Sequence, residues 1–271
     1  MILFPEFHSR YGPWAVVAGA SEGIGLAYAD TLGERGINLL MLARRVEPLE
    51  AQATILRRRH RVEVRTAALD LASPNLAEEF AGLTAELDVG LLIYNACFSI
   101  VKPFVELPLA DHLSTVDVNC RGPLILCHHL APKLQARGRG GMLLMSSMSG
   151  FQGSALVATY AATKAFNTNL AESLWAELGP EGVDVLGLVA GATSTPGFVS
   201  VTPQDKQGKA FPMRPEAVAR EGIKALEDAR LKGPIHIAGG INRWAHRITG
   251  LMSRASRSRF FSKATTDMYG S

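Results

Sequence analysis

The chain has 271 residues, 47% of them hydrophobic and 20% charged, with a formal net charge of +3. That length and composition suit one larger α/β domain, and so small a charge does not by itself point to nucleic acid. Cys97, Cys120 and Cys127 have no metal-binding spacing and would leave an odd thiol if paired, so reduced thiols in a cytoplasmic protein are expected.

Met1 and the residues up to Phe4 are apolar, but Pro5 and Glu6 interrupt them before a signal-peptide core can form. No run approaches the roughly 18 apolar residues of a membrane span. From Trp14 the chain reads as an apolar strand, a glycine-rich turn and a helix stopping at Gly36. The turn is Gly19, Ala20, Ser21, Glu22, Gly23, Ile24 and Gly25. Glycine lets the backbone approach a pyrophosphate, whose charge suits the free amides of a helix N-terminus. A turn of this kind between first strand and first helix is what dinucleotide binding requires.

Residues 37–43 predict a second buried strand ending in Arg44 and Arg45. An acidic side chain at this tip would select the 2′-hydroxyl of NAD. Two guanidinium groups suit the 2′-phosphate of NADP better, although Glu22 in the turn opposes it. A helix over 47–59 ends in a basic cluster that complements the helix dipole and, without interleaved aromatics, does not mark a nucleic-acid surface. The next strand, 62–69, delivers Asp70 and Leu71, where the carboxylate either meets the adenine amino group or caps a turn. Strand 89–94 exits through Asn95, Ala96 and Cys97, small enough for a cofactor ribose. The apolar residues that follow either pack the core or wall a pocket.

A long helical region over 109–136 holds Asn119 among apolar neighbours, a poor helix former that needs partners for its amide. His128 and His129 cannot point the same way and have no carboxylate at a ligand spacing, so no metal is expected. The apolar run 142–145 closes on Ser146 and Ser147, and a long helix is predicted over 158–178. Within it Tyr160 and Lys164, four apart, share a face about 6 Å apart along the axis. An ammonium there favours the phenolate and makes the phenol a usable proton donor and acceptor. Ser147 precedes the tyrosine by thirteen residues, close enough for a strand end and loop to bring its hydroxyl alongside.

Strand 183–189 is followed by Gly191, Thr193, Ser194 and Thr195, which permit close backbone approach and offer hydroxyls to amide or phosphate oxygens. Residues 197–215 read as an irregular, partly apolar lid. A helix over 216–228 and a last short strand over 235–238 follow. The tail 242–271 begins as a basic amphipathic helix that could touch an anionic membrane surface, cover the pocket or pack against a second subunit, with packing or a subunit contact favoured. Strand and helix alternate seven times, which predicts one doubly wound parallel sheet of the Rossmann type with helices on both faces.

On these residues the chain resembles the short-chain dehydrogenase/reductase family over about residues 10–240. The first turn is similar to its T-G-x-x-x-G-x-G, with Ala18 for threonine. Asn95 and Ala96 resemble the middle of N-N-A-G, with Tyr94 and Cys97 at its ends. Ala190, Gly191 and Thr195 resemble P-G-x-x-x-T, with alanine for proline. The resemblance places Asn119, Ser147, Tyr160 and Lys164 on the catalytic tetrad. It implies hydride transfer between nicotinamide C4 and a carbonyl or carbinol carbon. Tyr160 would be the proton donor or acceptor, Ser147 would hold the reacting oxygen, and Lys164 the nicotinamide ribose. Asn119 would position a proton-refilling water. The expected activity is NADP-preferring interconversion of a hydrophobic ketone and alcohol by a homodimer or homotetramer. Phe98, Phe104, Phe151, Leu156 and Phe198 would line its pocket. A non-catalytic dinucleotide sensor, or a membrane-surface reductase of lipids or 3-oxoacyl groups, are the alternatives.

Overall fold

Seven strands with apolar side chains on both faces cannot leave either face in water, and the chain covers both with helices. A computed structural model describes residues 4–269, so the first residues of the N-terminal apolar run and the last two of the tail lie outside it. After helix α1 (Pro5–Tyr11) come β1 (Trp14–Ala18), α2 (Gly23–Glu34), β2 (Asn38–Ala43), α3 (Val46–His60), β3 (Val64–Ala68), α4 (Leu76–Thr84) and β4 (Val89–Tyr94). The second half holds α5 (Leu109–Val116), α6 (Gly122–Arg137), β5 (Gly140–Ser147), α7 (Ala158–Leu178) and β6 (Val183–Ala190). Then follow α8 (Pro196–Val201), α9 (Gln204–Gln207), α10 (Pro215–Glu227), α11 (Ala229–Lys232), β7 (Ile235–Ile237), α12 (Gly240–Gly250) and α13 (Arg254–Tyr269).

The strands form one parallel sheet in the order β3-β2-β1-β4-β5-β6-β7. This is the doubly wound arrangement expected from the alternation of elements. Alternate side chains point to opposite faces. Val17, Met41, Ile93 and Met145 therefore pack under α2, α3 and α10, while Val16, Leu40, Leu92 and Leu144 pack with α4, α6 and α7. The strand order reverses between β1 and β4, which opens a crevice at their C-terminal ends. The exits at Gly19, Asn95, Ser147 and Gly191 all lie along that edge.

Three features depart from the local reading of the sequence. The segment 197–215 is largely helical rather than irregular, because Thr195 caps α8 by accepting from the Phe198 amide at 3.1 Å. The helix over 109–136 is interrupted by a π turn, Asp117–Arg121, centred on Asn119. The third is α1, whose Phe7 and Tyr11 are buried against the sheet.

Tyr11 donates to Asp184 at 2.6 Å, and the same fully buried carboxylate pairs with Arg10 at 2.5 Å and Arg230 at 2.6 Å. One acid on β6 thus fastens both α1 and α11. Asp184→Asn is expected to cost about 3 kcal/mol in urea unfolding, because two guanidinium groups then lose their counter-charge. A loss below about 1 kcal/mol would show that the network is not a clamp.

Candidate active site

The glycine-rich turn is built for close approach. Gly19 has φ of +80°, and a Cβ on Gly25 would lie 1.9 Å from the Gly19 carbonyl oxygen. Asn95, at the exit of β4, donates from Nδ2 to that carbonyl at 3.0 Å, which joins the two strand ends. Glu22 stands at the N-cap of α2 without a side-chain hydrogen bond to its amides. Those amides and the helix dipole are available to an anion, so the turn fits a dinucleotide pyrophosphate. Ser21, Gly23 and Ile24 line it half-buried, and Gly23 faces Thr195 from the loop after β6.

At the tip of β2 the two arginines differ. Arg45 pairs with Glu22 at 2.9 Å, which neutralises both charges expected to act on a ligand. Arg44 is exposed and makes no ion pair among the described residues. Asp70 accepts from the Ala72 amide at 3.0 Å, which is the turn-capping alternative, and Leu71 is buried in the core. Gly191 packs beneath Asn242, Thr193 donates to the Gly191 carbonyl, and the Thr195 hydroxyl oxygen accepts the α8 capping bond, which leaves its hydrogen to donate.

Strand β5 and helix α7 bring the polar groups together. Ser146 donates to the Lys164 carbonyl at 2.8 Å and bonds Thr168, which pins the strand end to the helix. Ser147, the next residue, then faces the Tyr160 phenol. Burial pushes that phenol above its ordinary value and the field of the Cys97 thiol adds to this, while a hydrogen bond with Ser147 pulls it back. Lys164 is buried, with Nζ 5.7 Å from the centre of the Tyr160 ring, and it donates to the Met145 carbonyl at 2.9 Å. The expected lowering of the phenol by its lysine neighbour is therefore not what the protein's own groups produce. Burial sets the direction, and the ammonium points one of its donors at the backbone.

The Asn119 side chain has the partners that a buried amide requires. Its Oδ1 accepts from the Phe98 amide at 2.8 Å, and Nδ2 donates to the Phe98 carbonyl at 2.8 Å and to Thr163 at 3.1 Å. The amide clamps the segment after β4 and leaves no side-chain donor for a water. Ala96 and the exposed Cys97 precede that clamp, so Asn119 fixes the backbone on which the thiol approaches Tyr160.

The apolar residues divide. Phe98, Phe151, Leu156 and Phe198 are half-buried near the site, whereas Phe104 is exposed and stacks on His112. The tail supplies groups that no local pattern announces. From α13, Ser258 bonds the Gly153 carbonyl, Ser262 the Ala155 amide and Thr265 the Ser154 hydroxyl. Arg257 bonds the Phe151 carbonyl, and His246 of α12 stacks on the Phe151 ring at 4.1 Å. Tyr269 is close enough to Tyr160 for its field to raise that phenol, and it also meets the buried Thr202 after α8. Tyr269 stands 109 residues beyond Tyr160, so only the folded chain joins them.

A family model described as short chain dehydrogenase matches residues 13–206. A 7beta-hydroxysteroid dehydrogenase of Clostridium sardiniense is 33% identical over 92% of this chain and 94% of that protein. A very-long-chain 3-oxoacyl-CoA reductase of Podospora anserina is 37% identical over 69% of this chain and 57% of that protein. Among solved structures, one bearing on 7beta-hydroxysteroid dehydrogenase stereoselectivity matches with a TM-score of 0.87 at 30% identity, over 94% of this chain and 98% of the other. A short-chain dehydrogenase from Sphingobium yanoikuyae in complex with NADPH matches with a TM-score of 0.74 at 25% identity, over 90% and 98%.

Proposed function

This chain belongs to the short-chain dehydrogenase family and is an oxidoreductase acting on CH–OH groups, and on that premise we propose that it interconverts a bulky apolar ketone and its secondary alcohol with NADP. The observation that carries the proposal is the meeting of Ser147, Tyr160 and Lys164 at the end of β5. A nicotinamide bound over that edge would supply or accept the hydride. The residues do the rest. Tyr160 gives its proton to the carbonyl oxygen as charge builds there, Ser147 donates a hydrogen bond to the same oxygen, and Lys164 keeps an ammonium beneath the ring.

The substrate class follows from the walls. Phe98, Phe151, Leu156 and Phe198 offer apolar contact, and Tyr269, close enough to Tyr160 for its field to act there, adds a polar group. That combination suits a large, rigid, mostly apolar molecule with a second polar group, and both a steroid-like ketone and a 3-oxoacyl thioester belong in its test. Residues 192–215, which Tyr269 of α13 touches at Thr202, serve as the lid. The exposed Leu109, Leu113 and Val116, at helical spacing on α5, and Leu124 on α6 support pairing of subunits through these helices.

Following NADPH oxidation at constant pH against a panel of 7-oxo steroids, 3-oxoacyl thioesters and aryl ketones tests the reading. Turnover on at least one class is expected, and a chain that binds NADPH but turns over none would be a sensor. For the cofactor, NADPH is expected to bind at least ~10-fold tighter than NADH, with Arg44→Gln removing most of the difference. Equal dissociation constants in the unmodified protein would reject it.

A further inference from the structure

The C-terminal arm has a second face that the site does not use. Ile241, Trp244, Ile248 and Leu251 recur at intervals of three and four, within roughly 80° of the helix circumference. Sequence periodicity assigns such a stripe to packing, but α12 turns it outward: Trp244 is 65% and Leu251 89% exposed. Arg247 flanks the stripe, and Arg254, Arg259 and Lys263 follow on α13. All four cations are exposed and make no ion pair among the described residues. Residues 229–266 contain eight Lys and Arg and no Asp or Glu.

We propose that this face docks on an anionic lipid surface. Exposed indole and aliphatic side chains flanked by the unpaired Arg247, with further unpaired cations on the next helix, match the boundary between acyl chains and acidic headgroups. No helix among the described residues is long and apolar enough to cross a membrane, so the contact is a surface one. A second copy fits less well. A two-fold pair through this stripe would bring together two faces of the same positive sign, since residues 229–266 supply no acid to answer Arg247 and Arg254, and apolar residues on α5 and α6 already offer another pairing surface. The opposite side of this arm holds the segment after β5, where His246 stacks on Phe151 and Arg257 bonds its carbonyl. On the ketone reading, docking would therefore set the site's own wall close to the lipid. The docking itself does not depend on that reading.

Vesicle sedimentation of the full chain tests the idea. Partition onto phosphatidylcholine vesicles containing about 30% phosphatidylserine is expected to exceed that onto pure phosphatidylcholine at least ~10-fold and to fall with added salt. Arg247→Gln with Arg254→Gln should remove most of that preference. Trp244→Ser with Leu251→Ser should abolish pelleting, both pairs keeping the wild-type melting temperature because the positions are exposed. Equal partition onto neutral and anionic vesicles, or no pelleting, overturns the proposal. Should the serine pair instead convert a dimer to a monomer in sedimentation velocity, the face belongs to a second copy.

Discussion

Tyr160→Phe is expected to lower turnover at least ~100-fold while leaving NADPH affinity within about twofold. The ring and its packing survive the change, and only the proton is lost. Ser147 still donates its hydrogen bond to the reacting oxygen, but no group remains there to give that oxygen a proton. The pH dependence follows from the direction in which the phenol is held. Burial and the Cys97 field keep its value above that of free tyrosine, so it is protonated across neutral pH. Ketone reduction, which needs the protonated form, should be flat between about pH 6 and pH 8, whereas alcohol oxidation, which needs the phenolate, should climb through that range. A variant retaining more than about a tenth of wild-type turnover would remove Tyr160 from the chemistry. The same residual turnover would leave the fold and family untouched.

Gly25→Ala is expected to weaken NADPH binding by at least ~100-fold. An added methyl group would stand 1.9 Å from the Gly19 carbonyl oxygen and 2.6 Å from Asn95 Nδ2. Neither neighbour is the free end of a flexible side chain, because the two are bonded to each other at 3.0 Å. The start of α2 must therefore move away from the turn, and the amides that would meet the pyrophosphate move with it. Gly82→Ala on α4 is the control: a Cβ there meets nothing within 4 Å, and replacing a mid-helix glycine should stabilise by roughly 0.5–1 kcal/mol. If both alanine variants bind NADPH equally well by fluorescence titration, the turn is not the phosphate cradle.

Much of this site could be read before folding because its signals are local. The turn between Gly19 and Gly25 lies between an apolar run and a helical one, and Tyr160 and Lys164 share a face by spacing alone. Arg44 and Arg45 look alike in the sequence. Only the fold pairs Arg45 with Glu22, because that contact crosses from β2 to the glycine-rich turn. That Asn119 needs partners for its amide could be read from its apolar neighbours, but not which groups they are. Its partners, Phe98 and Thr163, lie 21 and 44 residues away.

By itself the sequence determined the alternation of strands and helices, the cradle at the first turn and the serine, tyrosine and lysine that converge on one sheet edge. Periodicity and glycine placement act over a few residues, and those features need no more. Tertiary structure alone decided that the phenol is raised rather than lowered, that one β6 carboxylate clamps both α1 and α11, and that α13 folds back over residues 151–155 and brings Tyr269 near Tyr160. Desolvation and contacts between distant residues exist only once the chain has closed on itself, and no local pattern encodes them.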